Sequence, residues 1–254
     1  MIKLHVTMNL LRKMLNAKCV VLMAFVICVV ATVADAVFGK GKKPSSSDPD
    51  IIWGVFNATD INGNDIVQYT IRNIPKKKFD QALDIMINYY LTDEPISVAM
   101  GIINDKNVVK SYRKQWLKIL KNGLSVACFK SGTDEIVGVQ LLQIESKNSG
   151  YYGFDLFEKY NVTKFLIDDG MAVVSAYRGR KIGKQLLLAR EPICAAHNLR
   201  VTSAIFTSTY SLAIAIDLGY ELNKQIGYED VKLYRKSYLP YIDGVTMVLM
   251  SKQY

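Results

Sequence analysis

The sequence has 254 residues, half of them apolar and 22% charged, which is the balance of a globular protein with a sizeable core. Such a composition excludes a disordered or fibrous chain. The net charge of +9 is concentrated in residues 1–43, which hold seven Lys or Arg and one acidic residue, leaving 25 basic and 22 acidic residues elsewhere. A remainder so nearly balanced does not favour nucleic acid as a partner. The four cysteines show neither metal-ligand nor disulfide spacing, so no metal site is predicted.

The N-terminal segment contains an apolar run at 19–33 that follows four basic residues. Three interpretations remain open. An Ala-Asp-Ala after the run is typical of a cleaved signal peptide. Extended to residue 38, the run approaches the ~20 residues that span a bilayer as an anchor. A start codon assigned too far upstream of a soluble enzyme is the third. Residues 39–50 have the Gly, Pro, Ser and charge mixture of a linker. We therefore predict a signal or anchor at 1–38, a linker at 39–50 and a folded domain at 51–254.

The folded domain has a mixed order of strands and helices. Strands are predicted at 67–73, 124–129, 136–144, 170–175, 201–206, 228–234 and 245–250, and helices at 75–91, 108–120, 185–197 and 211–218. The helix at 108–120 places its basic residues on one face, which is predicted to be solvated. Because hairpins interrupt any βαβ alternation, the fold class is mixed α/β and not a doubly wound parallel sheet.

A basic, glycine-containing loop, YRGRKIGK at 177–184, joins a predicted strand to a predicted helix. Such a junction presents unpaired backbone N–H groups and the positive end of the helix dipole to one point, which suits a pyrophosphate. An ordinary turn can have the same composition. The phosphate-binding patterns GxxxxGK[ST] and GxGxxG are both absent from the sequence.

The segment VVSAYRGRKIGKQLL resembles motif A of the GNAT acetyltransferases, [RQ]-x-x-G-x-[GA]. Arg178 and Gly183 match, whereas Lys181 stands where the family usually has its first glycine. The resemblance implies a GNAT fold, with a central, mostly antiparallel, splayed sheet flanked by helices, and acetyl-CoA as cosubstrate. It assigns cofactor binding to the end of the strand and to the loop, that is, to Val173, Val174, Arg178, Gly179, Arg180, Lys181, Ile182, Gly183 and Lys184.

Three segments resemble, within the GNAT group, the insect-type arylalkylamine (dopamine-like) N-acetyltransferases: TDEP at 92–95, motif A, and FTSTYS at 206–211. The resemblance implies that Glu94 is the general base. It also implies that Tyr210 and Ser211 assist departure of the thiolate, with Thr207 keeping a hydroxyl where the family has serine. Without the resemblance, Glu94 is part of a polar helix exit, Tyr210 a core aromatic and Ser211 a helix N-cap.

The implied function is direct acetyl transfer from acetyl-CoA to a small primary amine, of the arylalkylamine type. Two alternatives remain open: a GNAT-fold module that binds acetyl-CoA without activity, and a polyamine or protein-lysine acetyltransferase. The latter needs an acidic acceptor groove, whereas an arylalkylamine needs an aromatic and aliphatic pocket. Candidate lining residues for such a pocket are Tyr89, Tyr90, Ile96 and Met100.

Localisation follows from the cosubstrate, because acetyl-CoA is chiefly cytosolic. We expect a cytoplasm-facing domain, with membrane contact through residues 19–38 if they form an anchor. A cleaved signal would instead make the protein secreted or lumenal. The sequence does not indicate an oligomeric state.

Overall fold

The computed structural model describes residues 51–146, 154–227, 232–233, 236–237 and 246–254. The predicted signal or anchor at 1–38 and the linker at 39–50 lie outside these residues. No helix in the described ranges combines the length and apolar character that crossing a membrane requires.

A sheet of eight strands forms the centre of the described chain. The strands are β1 (Ile52–Thr59), β2 (Ile66–Asn73), β3 (Val126–Lys130), β4 (Ile136–Ser146), β5 (Lys164–Val173), β6 (Val201–Phe206), β7 (Glu221–Gly227) and β10 (Thr246–Gln253). Their order is β1-β2-β3-β4-β5-β6-β10-β7, and every neighbouring pair is antiparallel except β5 with β6. Two short strands, β8 (Lys232–Leu233) and β9 (Lys236–Ser237), pair separately. The predicted mixed, mostly antiparallel class is confirmed.

The helices of the described chain are α1 (Phe79–Ile85), α2 (Pro95–Ala99), α3 (Lys106–Leu120), α4 (Leu156–Tyr160), α5 (Ile182–Leu188), α6 (Arg190–Ala196) and α7 (Thr209–Asp217). Helix α1 continues as a π-helical turn over Met86–Tyr90. The helix predicted at 185–197 begins earlier and is divided at Ala189. Pro192 explains the division, because it lacks the N–H that would bond to residue 188.

Strand β1 was not predicted. Trp53, Phe56 and Ala58 pack on the core, and the turn that follows contains Asn62-Gly63, a hairpin signal. The predicted solvated face of α3 also needs correction at one position. Arg113 binds Asp80 at 2.8 Å and Asp84 at 2.6 Å, so it ties α3 to α1.

The two central strands separate, which is the feature that positions the site. Strand β5 pairs with β6 only at Leu166 with Thr202 and Ile167 with Ser203, but it remains paired with β4 as far as Val173. Beyond Ile167, the edge of β5 that faces β6 is therefore open, and a cleft begins there. The predicted splay is confirmed.

Gly138 on β4 lets α5 approach the sheet. A Cβ at this position would lie 2.9 Å from Ile182 Cγ2 and 3.3 Å from Leu186 Cδ1. We expect Gly138→Ala to lower the free energy of unfolding by about 1–3 kcal/mol through overpacking, measured by urea denaturation. Gly54→Ala is the matched control, because its Cβ would meet Ile71 at 3.7 Å, an ordinary contact. Equal stability of the two variants would contradict this account of Gly138.

Candidate functional site

The loop between β5 and α5 is shaped by two residues with left-handed backbone conformation. Gly179 has φ 79° and Lys181, the N-cap of α5, has φ 62°. Lys181 therefore adopts the conformation that glycine adopts most easily, and the loop turns sharply despite the substitution. The first hydrogen bond of α5 runs from Gln185 N to Lys181 O at 3.0 Å. The backbone N–H groups just before Gln185 therefore donate no hydrogen bond within the helix.

The left-handed backbone conformation of Lys181 leads to a prediction about stability. A non-glycine residue in this conformation costs roughly 1–2 kcal/mol, so Lys181→Gly is expected to raise the free energy of unfolding by about 1 kcal/mol. Lys184→Gly, inside α5, should lower it by about the same amount. Both are measured by urea denaturation, and destabilisation by Lys181→Gly would show that its side chain holds the loop.

Arg180 is bound by carbonyl oxygens on two sides of the loop. Its guanidinium donates to Thr59 O at 2.7 Å and Asp60 O at 2.8 Å in the β1–β2 hairpin, and to Ala176 O at 2.9 Å and Arg178 O at 3.0 Å. These bonds fix the loop on the hairpin. The structure thus gives Arg180 a positioning contact in addition to the cofactor contact that the sequence predicted.

Arg178 has a different environment. Its side chain is 47% exposed, donates from Nε to Val173 O at 3.1 Å, and forms an ion pair with Asp93. Because Asp93 precedes Glu94, this pair joins the turn at 92–95 to the motif A loop.

At the end of β5, only some of the backbone groups are hydrogen-bonded within the sheet. Val174 donates its N–H to Val137 O at 3.0 Å. Hydrogen bonding alternates along an antiparallel ladder, so Val173 directs its amide and carbonyl groups to the opposite, open edge. Of the two predicted backbone contacts with the cofactor, Val173 faces the cleft and Val174 faces β4.

Helix α7 contacts the first turn of α5, which follows this loop. Lys184 Nζ lies 2.5 Å from Asp217 Oδ2, and a Cβ on Gly183 would lie 3.7 Å from Ile214 Cδ1. The structure therefore brings the 92–95 turn and helix α7, which begins within FTSTYS, into contact with the motif A segment, although these parts are far apart in the sequence.

Glu94 is the N-cap of α2, directly before Pro95. Its half-buried carboxylate accepts hydrogen bonds from Ile96 N at 3.0 Å, Ser97 N at 2.7 Å and Ser97 Oγ at 2.7 Å. These contacts hold the carboxylate in one orientation. Burial, followed by the charge of Glu94, raises the pKa of the Tyr90 hydroxyl, which places this carboxylate near Tyr90.

The hydroxyl groups at the start of α7 form a small network. Ser208 is the N-cap, accepting from Ser211 N at 3.2 Å, so the expectation that Ser211 caps the helix was wrong. The Ser211 hydroxyl lies 3.0 Å from both Ser208 O and Ser208 Oγ. Thr207 is half-buried, whereas Tyr210 is 85% exposed and is not the core aromatic considered from sequence.

Two neighbouring carboxylates of β5 differ in their partners. Asp168 forms an ion pair with the buried Arg190 and accepts from Gln140 Nε2 at 3.2 Å. Asp169 bonds to Gln143, but its buried Oδ2 has no partner. Burial, together with the charges of Asp168 and Glu145, raises the pKa of Asp169 to about 7. Burial also raises the pKa of Glu145, which is 5% exposed, to about 7.

The predicted lining residues, namely Tyr89, Tyr90, Ile96 and Met100, are all partly exposed. The Tyr90 ring stacks edge-on against Trp116 at 5.9 Å, and Tyr112 packs beside Trp116 at 5.1 Å. His197 lies at the end of α6, and its burial together with the charge of the nearby Lys164 lowers its pKa. In the described ranges, no three His, Cys, Asp or Glu side chains are grouped to hold a metal.

Solved structures provide the comparison with known proteins. A protein named as arylalkylamine N-acetyltransferase 7 from the yellow fever mosquito Aedes aegypti is 26% identical, with a TM-score of 0.78 over 84% of this chain and 99% of the other. Arylalkylamine N-acetyltransferase 2 from Aedes aegypti is 18% identical, with a TM-score of 0.64 over 73% and 98%. The polyamine N-acetyltransferase of Drosophila melanogaster is 15% identical, with a TM-score of 0.64 over 73% and 100%.

The fold is that of the GNAT acetyltransferases. The two relatives below 25% identity support the fold alone. No protein-family model and no curated protein matches the sequence.

The sequence did not single out three of the acidic residues described above. In the sequence, Asp93 is recognised only as part of the 92–95 turn. An acidic residue next to a candidate base nevertheless favours an ion pair with a basic loop elsewhere in the chain. Asp169 is left unpaired at a register shift between the Leu142–Asp168 and Leu141–Gly170 pairs, and no sequence pattern predicts such a bulge. Glu145 directly follows the strand predicted at 136–144, and no sequence motif marks it as functional.

Proposed function

We propose that this GNAT-fold chain is an acetyl-CoA-dependent N-acetyltransferase acting on a small primary amine, of the arylalkylamine type, by direct transfer. The observation that carries the proposal is the meeting of the 92–95 turn and helix α7 with the motif A segment, where β5 and β6 separate. Asp93 binds Arg178 of the loop, and Asp217 of α7 binds Lys184 in the first turn of α5. The mosquito protein with 26% identity supports the same function.

The residues present fit acetyl-CoA. Bound there, it would supply an activated acetyl group. Arg178 and Lys181 are exposed cations at a loop whose turn directs backbone amides outward, which suits a pyrophosphate. A Cβ on Gly179 would meet nothing within 4 Å, so the loop surface is open for close approach. At Val173 the open edge of β5 would offer its backbone N–H to an extended pantetheine arm, while its carbonyl accepts from Arg178 Nε at 3.1 Å.

Proton transfer is proposed for Glu94. An alkylammonium with a pKa near ~10 is unreactive at neutral pH until it loses a proton. Glu94 accepts that proton, directly or through water, and the amine nitrogen then bonds to the acetyl carbon as the carbon–sulfur bond breaks. The proton lost from the new amide nitrogen ends on the thiolate, with the hydroxyl groups of Thr207, Tyr210 or Ser211 as candidate donors.

The substrate class is proposed from the side chains around the 92–95 turn. Partly exposed aromatic and aliphatic residues, Tyr89, Tyr90, Ile96 and Met100, support an arylalkylamine. A polyamine is the second candidate, because the buried Oδ2 of Asp169, which has no hydrogen-bond partner, favours a cationic acceptor. Because acetyl-CoA is chiefly cytosolic, we propose that the domain faces the cytoplasm.

An amine panel tests this function. The purified protein is mixed with acetyl-CoA and with arylalkylamines, polyamines or a lysine peptide, and the free CoA thiol is followed. Turnover highest with an arylalkylamine is the expected result, and turnover highest with a polyamine would move the assignment to the second candidate. Binding of acetyl-CoA without turnover on any amine would indicate a module without activity.

A further inference from the structure

Arg180 stands at a position that the motif A pattern leaves open, and its half-buried side chain joins the loop to the turn of the β1–β2 hairpin. All three nitrogens of the guanidinium donate to backbone carbonyls: Nε to Thr59 O, Nη2 to Asp60 O, and Nη1 to both Ala176 O and Arg178 O, at 2.7–3.0 Å. We call these bonds the Arg180 clamp. They use most of the hydrogen-bonding capacity of the side chain, so little of it is left for a phosphate.

The bond to Arg178 O sets the direction of the next backbone amide. In a trans peptide unit the C=O and N–H bonds point in opposite directions, and the described chain has no cis peptide bond. Because the Arg178 carbonyl points to the guanidinium, the N–H of Gly179 points away from it and from the hairpin. Among the described residues no acceptor takes this N–H, and Gly179 is exposed. Its amide therefore points to the side of the loop that a ligand can approach.

The residues on either side of Arg180 do not by themselves hold this peptide in place. Lys181 has φ 62°, a left-handed conformation that a non-glycine residue adopts only at a cost. Gly179 has φ 79° and no side chain to restrict it to that conformation. The Arg178–Gly179 peptide is therefore free to rotate unless bonds from outside the loop hold it, and the clamp supplies such bonds.

The hairpin end of the clamp is fixed to β3. Lys130 Nζ binds both carboxylate oxygens of Asp60, at 2.9 and 2.8 Å, with both side chains half-buried. Asp60 also accepts from Ile61 N at 2.8 Å through its side chain and from Gly63 N at 2.9 Å through its carbonyl. An ion pair that is partly shielded from water is screened less than an exposed one. The hairpin turn thus presents its carbonyl groups to Arg180 in a fixed arrangement.

We propose that Arg180 is a positioning residue for acetyl-CoA, which orients the Gly179 N–H towards the pyrophosphate and is not itself a phosphate ligand. Asp60 and Lys130 belong to the same device, because they anchor the hairpin end of the clamp. The inference rests on the proposed function, since it concerns the cosubstrate of that reaction. It extends the support of the cofactor site to the β1–β2 hairpin and to β3, which lie outside motif A.

Calorimetric titration of acetyl-CoA into the full-length protein tests the side chain. Arg180→Lys keeps the charge and Arg180→Gln removes it, but neither side chain can bind carbonyls on both sides of the loop. At about 0.15 M salt, we expect both variants to raise the Kd about tenfold or more, to values within about threefold of each other. The kcat at saturating acetyl-CoA should change less than about threefold. A Kd that rises only in Arg180→Gln would overturn the proposal, because the charge alone would then account for binding.

Lys130→Met tests the anchor without altering the loop. We expect it to raise the Kd for acetyl-CoA about three- to tenfold, and to add little to the effect of Arg180→Lys, because both substitutions act on one clamp. Arg113→Lys is the matched control, since Arg113 also joins two elements but far from motif A in the sequence, through Asp80 and Asp84. It should leave the Kd unchanged. Fully additive effects of Lys130→Met and Arg180→Lys, or an equal rise of the Kd in Arg113→Lys, would contradict the clamp.

Hydrogen–deuterium exchange without acetyl-CoA provides a readout that is independent of binding. Peptides that cover residues 59–66 should exchange faster in Arg180→Lys than in the wild type, whereas those that cover β6 should not change. Faster exchange over the whole chain would assign Arg180 to general stability and overturn its role in positioning.

Binding and turnover together distinguish the two proposals. Turnover by the wild type with an unchanged Kd in Arg180→Lys and Arg180→Gln would overturn the positioning role and leave the proposed function intact. Binding of acetyl-CoA by the wild type without turnover of any amine would overturn the proposed function, and the Kd values of the variants would still decide the role of Arg180. A wild type that does not bind acetyl-CoA would overturn both.

Discussion

Glu94→Gln is expected to lower kcat/KM for amine acetylation by about 10²–10⁴-fold at neutral pH, with the Kd for acetyl-CoA changed less than about threefold. Glutamine preserves the shape of the side chain but accepts no proton from the ammonium. Thiol release under steady-state conditions measures the first quantity, and calorimetric titration of acetyl-CoA measures the second.

Because Glu94 also caps α2, the loss of a cap must be separated from the loss of a base. Asp105→Ala is the matched control, since Asp105 caps α3 through Asn107 N at 2.9 Å and Val108 N at 3.2 Å. Each substitution should cost about 1 kcal/mol of stability or less, but only Glu94→Gln should abolish turnover. Equal activity losses in the two variants would contradict a catalytic role for Glu94.

Arg178→Ala is expected to raise the Kd for acetyl-CoA about ten- to hundredfold. A hydrogen bond to a charged group contributes about 1.5–3 kcal/mol, and removing this guanidinium also leaves Asp93 unpaired beside the phosphate site. The matched control is Arg200→Ala, because Arg200 is an exposed arginine bound only by Asn161 O at 3.1 Å among the hydrogen bonds of the described chain. An unchanged Kd in Arg178→Ala would mean that the loop holds phosphate through its backbone alone.

The strands and helices with strong periodicity could be predicted from the sequence. Strand β6 was predicted at its observed bounds, and α3 and the β3–β4 hairpin within a few residues. The first hairpin was missed because Gly54 and a register shift interrupt the alternation of β1. The beginning of β5 was also missed, since its two adjacent aspartates at 168–169 do not resemble a buried strand.

Only the parts of the site that lie within a local sequence motif could be predicted. The loop at 177–184 and the turn at 92–95 were found from their sequences, and the structure brings them together through Arg178 and Asp93. The other features of the site depend on contacts between residues that are far apart in the sequence. Two of the carbonyls that hold Arg180 come from the distant β1–β2 hairpin. Arg190 pairs with Asp168 and not with Asp169, whose Oδ2 has no partner.

The central claim is that acetyl passes directly from acetyl-CoA to an amine in the cleft between β5 and β6. The most direct measurement is a single turnover with excess protein and acetyl-labelled acetyl-CoA, followed by mass spectrometry of the amine, the free CoA and the protein. We predict N-acetylated amine and CoA in equal amounts, no acetyl group on the protein at any time, and loss of product in Glu94→Gln. An acetylated protein that forms and decays before the product appears, or cofactor left intact in the presence of every amine, would contradict the claim.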